Sequence, residues 1–362
     1  MLQYRTTGYN GYACKYSPFY DNKLAVATAA NYGLVGNGKL VILSIQDNGM
    51  VVQDTEFETQ DGLFDVAWSE IHENQVLTCA GDGSISLFDI SLQRFPIQRY
   101  QEHTREVFSV YWNMVDKGIF CSSSWDGTIK VWSPNRQQSM LTLVSSTDSS
   151  PKVDGPLVPL STKQTGKHPA DCMYQATFSP HTPSQLVSVS SSSHCHVWDI
   201  RAPQPLQIDF IAHNGMEVLS CDYNKYRPTV IATASVDKSI KVWDLRMIPN
   251  VQHHVLGTAN KTGPSSVNRF IGHDFAVRKV SWSPHYSDTL LSCSYDMTCR
   301  VWKDQTDNNA RFMNNRLWHG RSLLKTFDKH KEFVIGCDWS LWGSGFAASV
   351  GWDEMCYIWK AV

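Results

Sequence analysis

The side chains able to do chemistry in this 362-residue chain recur at regular places. His103, His213, His273 and His330 each stand ahead of a short apolar run, and Asp126, Asp237, Asp296 and Asp353 each stand six residues before a tryptophan: Trp132, Trp243, Trp302 and Trp359. A His–Asp pair can act as a general base or offer metal ligands. Four copies with the same neighbours are not four active sites, and their equal repetition assigns them to structure. A buried aspartate needs a partner, and a tryptophan N–H needs an acceptor. Ser124, Ser235 and Ser294 stand two residues before three of the aspartates.

The remaining chemical motifs are weaker. Gly33 to Lys39 fits the start of a phosphate loop, but Leu40 stands where Ser or Thr should bind magnesium, and the strand-like Leu-Val-Ile-Leu follows where a helix is required. It reads as a hairpin turn. No nucleophile elbow, HExxH or dinucleotide fingerprint occurs. Ser191–Ser193 reads as a turn, and His253–His254 lacks neighbouring ligands. No catalytic residue, metal or cofactor is therefore assigned.

The elements that must position these residues follow from the repeat. Besides the four copies, Asp82 with Phe88 keeps the spacing, and two degenerate units have Ser192 with Trp198 and Asn37 with Leu43, which makes seven. Each unit offers alternating runs without a 3.6-residue period, so each is a small antiparallel sheet. The expected fold is all-β: a seven-bladed WD-repeat β-propeller, one domain over residues 1–362, with loop insertions at about 145–167, 249–266 and 305–320. In the WD-repeat family that these units resemble, the Asp, His, Ser and Trp form a buried hydrogen-bonded tetrad, which Ser124, Ser235 and Ser294 would complete here, with His168 a fifth candidate histidine. The chain ends three residues after Trp359, so the run Leu2 to Thr6 is expected to supply the last blade's outer strand and close the ring.

Composition sets bounds on function. Lys and Arg number 32 against 34 Asp and Glu, a net charge of −2 that gives no general attraction to nucleic acid or anionic membrane. No apolar run spans a bilayer or forms a secretory leader, and the 10 cysteines lack CxxC pairs and read as buried thiols, so a reducing cytosol is expected. What remains is a binding surface. The residues before each first strand and before each tetrad aspartate face one mouth of the ring. They include Asp61, Glu106, Asp171, Glu217, Phe275 and Phe333 from the first set and Trp125, Val236, Tyr295 and Trp352 from the second. Trp125 and Trp352 are expected to be exposed there, as contact-site aromatics are.

Several stretches outside the repeat consensus, Gln60–Trp68, Arg105–Ser109, Ser281–His285, Ser294–Arg300 and Asp338–Gly343, closely resemble the receptors for the type-two peroxisomal targeting signal. The resemblance covers nearly the whole chain apart from the insertions. It implies a non-enzymatic import receptor that cycles between cytosol and peroxisome. Its cargo would be matrix enzymes such as thiolase, bearing an N-terminal signal of the pattern Arg-Leu/Val/Ile-x5-His/Gln-Leu/Ala. A fungal-type co-receptor and membrane docking proteins are its implied partners, with no nucleic acid and no membrane insertion. The alternative is a WD-repeat scaffold for another complex. On the receptor reading Asp61 and Glu106 pair with the signal's arginine, Glu217 belongs to the same acidic rim, and Trp125, Phe275, Tyr295, Phe333 and Trp352 line an apolar path.

Overall fold

A computed structural model describes residues 1–92, 95–145, 171–251, 264–306 and 322–362. The strands form seven four-stranded antiparallel sheets. Six are consecutive: β2–β5 (Asn10–Thr59), β6–β9 (Leu63–Gln101), β10–β13 (Val107–Val144), β14–β17 (Met173–Ile211), β18–β21 (Val218–Ile271) and β22–β25 (Val277–Phe327). The seventh joins β26 (Val334–Trp339), β27 (Phe346–Gly351) and β28 (Met355–Lys360) to β1 (Leu2–Arg5). The innermost strand of each sheet contacts that of the next around the circle, and β26 meets β2 (Asn10–Tyr16). This is the seven-bladed propeller that the repeat requires. β1 pairs with β28 from Leu2 opposite Ile358 to Arg5 opposite Met355, so it supplies the outermost strand of blade 7 and the ring is closed as expected.

The alternating runs become strands because both faces of each sheet are covered by neighbouring blades. Val, Ile, Leu, Cys and Trp from adjacent sheets pack in clusters between them. Nine of the ten cysteines are buried thiols, and Cys172 is half-buried. Between the second and third strands of the blades runs one turn design. In blades 3, 5, 6 and 7 the tetrad aspartate accepts the N–H two residues on, at Thr128, Ser239, Thr298 and Met355. The residue between takes a left-handed φ, as at Gly127 (84°) and Lys238 (67°).

The glycine-rich segment before Lys39 is the hairpin it was read to be. It joins β3 (Lys23–Ala29) to β4 (Gly38–Ile45), and a strand rather than a helix follows it. A Cβ on Gly38 would lie 2.7 Å from the Asp61 carbonyl, so only glycine lets this turn press against the start of blade 2. Most of the three insertions and His168, His253, His254 and Trp318 lie outside the described residues.

Candidate functional site at one mouth of the ring

The blade framework comes first, since it fixes the mouth. In blade 3 the Trp132 Nε1–H donates to Ser122 Oγ at 2.9 Å, Ser122 lies 2.7 Å from His103 Nε2, and His103 Nδ1 lies 2.8 Å from Asp126. The same chain runs through Trp243–Thr233–His213–Asp237, Trp302–Ser292–His273–Asp296 and Trp359–Ser349–His330–Asp353. Only one proton arrangement satisfies every atom with a neutral imidazole: indole N–H to hydroxyl, hydroxyl to Nε2, and Nδ1–H to carboxylate. Burial pushes His213 and His273 down towards that neutral form, outweighing the pull of their aspartates. Burial also pushes the Asp237 carboxyl up, but the hydrogen bonds from His213 and Ser239 outweigh it and hold the group at about 2.

The tetrad hydroxyls correct the sequence reading. Ser124, Ser235 and Ser294 are not the tetrad members. Each accepts the N–H of its own aspartate and donates to a carbonyl just before the blade's first strand, so they brace the turn. The bridging hydroxyl sits two residues earlier. A strand alternates faces, so that position points the same way while lying one step deeper, level with the indole.

Those turn braces bring the two sets of mouth residues together. The N–H before the tetrad position donates to the carbonyl of the residue before the first strand in blades 3, 5, 6 and 7: Trp125 to Glu106, Val236 to Glu217, Tyr295 to Ala276 and Trp352 to Phe333. Asp61 is half-buried, its Oδ1 accepting the Gly62 N–H at 2.7 Å, and no ion pair involves it among the described residues. Glu106 is half-buried with Arg105 Nε 3.4 Å away, and Glu217 is exposed and accepts from the Tyr174 hydroxyl at 3.0 Å. Phe275 is 56% exposed.

Trp125 and Trp352 depart from expectation: they are half-buried rather than exposed. The reason lies in residues that the sequence reading passed over. Every innermost strand carries a bulge at the same place, and the skipped residues are Tyr12, Phe64, Phe108, Tyr174, Leu219, Arg278 and Ile335. A bulge re-aims a side chain; six of these seven, all but Leu219, line the throat of the channel. Trp125 stacks on Phe108 with centroids 4.4 Å apart, and Trp352 packs on Tyr12 at 6.0 Å. Contacts between rings thus run unbroken from blade 6 to blade 4: Tyr295, Phe333, Trp352, Tyr12, Phe64, Phe108, Trp125 and Tyr174. The Arg278 guanidinium lies 5.9 Å from the Phe108 ring. The signal was present in the sequence, two residues beyond each position before a first strand, but only knowledge of the bulge turns those side chains inward. Both belt indoles keep a buried N–H without an acceptor among the described residues.

A propeller of tetrad-braced blades with an aromatic throat is a WD-repeat protein of the binding kind, and residues 94–133, 204–244, 264–303 and 321–360 match the WD domain, G-beta repeat model. The chain is 46% identical to the peroxisomal targeting signal 2 receptor of Saccharomyces cerevisiae over the full length of both, and 50% identical to that of Komagataella phaffii over 99% of both. It is 34% identical to the mouse receptor over 99% of this chain and 96% of that one. The chain belongs to the peroxisomal targeting signal 2 receptor family.

Proposed function

We propose that the aromatic and acidic mouth captures the N-terminal type-two signal of peroxisomal matrix enzymes, thiolase among them, as an amphipathic helix. A co-receptor and the docking proteins of the peroxisomal membrane then take the loaded receptor from cytosol to peroxisome. The reading is supported by family membership and carried by one feature of the mouth: Asp61 forms no ion pair among the described residues and Glu106 has only its half-exposed neighbour Arg105, so both acids are open to an incoming guanidinium on adjacent blades. Phe275 and the faces of Tyr295, Phe333, Trp352 and Trp125 offer the apolar stripe that a helix-in-groove ligand needs. No helix among the described residues is long and apolar enough to cross a membrane, which agrees with delivery by docking. The test is retention of the chain by an immobilised signal peptide against the same peptide with its arginine changed to alanine. Strong retention by the first alone is expected; equal retention by both would leave a scaffold with no signal specificity.

A further inference from the structure

Blade 4 breaks the pattern of its neighbours. It has Ser192 where blades 3 and 5 have the tetrad aspartate, although Trp198 still donates to Ser188 at 2.9 Å. Two residues before that tryptophan, where blades 3, 5 and 6 carry Lys130, Lys241 and Arg300, stands His196. β16 (His194–Asp199) pairs with β17 (Leu206–Ile211) so that His196 lies opposite Asp209, and His194, two residues away, shares its face. His194 Nδ1 is 2.5 Å from Asp209 Oδ1, and His196 Nε2 is 3.6 Å from the same oxygen. The ligand atoms of all three lie within 4.8 Å of one another.

His196 is the anomaly. It is 2% exposed, its Nδ1 has no partner among the described residues, and its Nε2 points at a carboxylate beyond hydrogen-bond reach. A buried imidazole left unbonded is costly, and an ion at Nε2 would give that nitrogen its partner. His194 and Asp209 are each about a quarter exposed at the side chain, which leaves a path from solvent.

We propose that His194, His196 and Asp209 form a binding site for a divalent ion of the zinc class, the fourth position going to water, and that the ion staples β16 to β17 in a blade that lacks a complete tetrad among its described residues. Two imidazoles and a carboxylate are a donor set that zinc accepts. The ion would draw Nε2 of His196 and the Asp209 oxygen closer and open the His194–Asp209 contact to the roughly 3.3 Å between ligands of a tetrahedral centre with bonds of about 2.0 Å. The site is separate from the signal-binding reading and does not rest on it.

The test uses the full chain, stripped with a chelator and titrated with zinc chloride and with cobalt chloride. One equivalent of zinc per chain is expected, with a rise of a few degrees in Tm at a hundredfold excess over Kd. His194→Asn and Asp209→Asn, both at partly exposed positions, should each abolish that binding while circular dichroism stays that of the parent and signal-peptide binding is unchanged. Should a variant fail to fold, the cobalt form of the parent decides: visible d–d bands without a thiolate charge-transfer band fit nitrogen and oxygen ligands. Substoichiometric binding at saturating zinc, a thiolate band, or zinc uptake retained by both folded variants would each overturn the site.

Discussion

The tetrads and the mouth are built from the same residue types and treat them in opposite ways. In the blade interiors each tetrad indole N–H has its hydroxyl, each imidazole is bonded at both nitrogens, and each carboxylate has a donor. Nearer the mouth, Trp125 stacks on Phe108 and Trp352 packs at an angle on Phe333, both with N–H groups unpaired among the described residues, where Asp61 also forms no ion pair. The opposite end of the channel carries ion pairs instead: an opening of about 120 Å³ is lined by Lys15 with Asp338 and Lys225 with Asp222, 2.7 and 2.8 Å long. Buried polar atoms without a partner among the described residues occur there too, on Tyr16, Asp65, Gln175, Thr177 and Trp282. The mouth is therefore set apart by its aromatic contacts and by an acid without an ion pair, not by unsatisfied groups alone.

The largest effect should come from breaking closure. β1 contributes four paired residues to blade 7, and the Tyr4 hydroxyl donates to Gln53 of blade 1 at 2.6 Å, so removing residues 1–6 unlatches first blade from last. At about 1 kcal/mol per hydrogen bond the loss is on the order of 4 kcal/mol. Calorimetry should show a broad, lower transition, and an unchanged sharp one would mean that the ring closes without this strand.

Next in size is the tetrad. Ser292→Ala orphans both His273 Nε2 and the Trp302 N–H and should cost about 2–4 kcal/mol in urea unfolding. Ser294→Ala should cost about 1 kcal/mol, because the Ala276 carbonyl it bonds also accepts from Tyr295. Equal costs would undo the assignment of the bridging hydroxyl. The same network sets an acid limit. His213 and His273 have folded values below the ordinary 6.5, so the unfolded chain binds more protons and stability falls as pH drops below 6.5. Asp237, held at about 2 against an ordinary 3.8, carries the loss further as pH falls from about 4 towards 2. A Tm that stayed flat from pH 7 to 5 would show that folding leaves the proton affinity of these imidazoles unshifted.

At the mouth, the framework should be untouched and binding should move. Glu106→Ala removes one charge-assisted hydrogen bond to the signal's arginine, about 1.5–3 kcal/mol, or roughly tenfold to a hundredfold in Kd. Calorimetric titration with a signal peptide measures it, with Tm as the control. Unchanged affinity would remove Glu106 from the site.

How far the sequence carried this division depends on what a spacing can encode. Seven blades, the closing strand and the His–Asp pairs were legible because they follow from periods and from an aromatic at a fixed distance. The tetrad hydroxyl was misplaced by one turn of the strand alternation, since Ser122 and Ser124 share a face and only depth separates them. The throat was missed because a bulge breaks alternation, placing Phe108 and Arg278 where a regular strand would not. The His194–His196–Asp209 group was half visible: the H-x-H pair lies in the sequence, but the carboxylate arrives through strand pairing.

The smallest effect is also the most direct comparison of the two regions, because one substitution can be made in both. Trp132→Phe removes an N–H bonded to Ser122 at 2.9 Å and leaves that hydroxyl short of a donor in a fully buried site. Trp125→Phe removes an N–H that bonds to nothing among the described residues, while a phenyl ring keeps the stack on Phe108. Both shrink the ring by a similar volume, and the cavity costs more at the fully buried Trp132 than at the half-buried Trp125, which adds to the difference. Trp132→Phe should therefore destabilise by about 1–3 kcal/mol more than Trp125→Phe, whose own cost should stay near 1 kcal/mol or below. Equal costs in chemical denaturation would mean that Trp125 is framework after all, with an acceptor in solution and no special standing at the mouth.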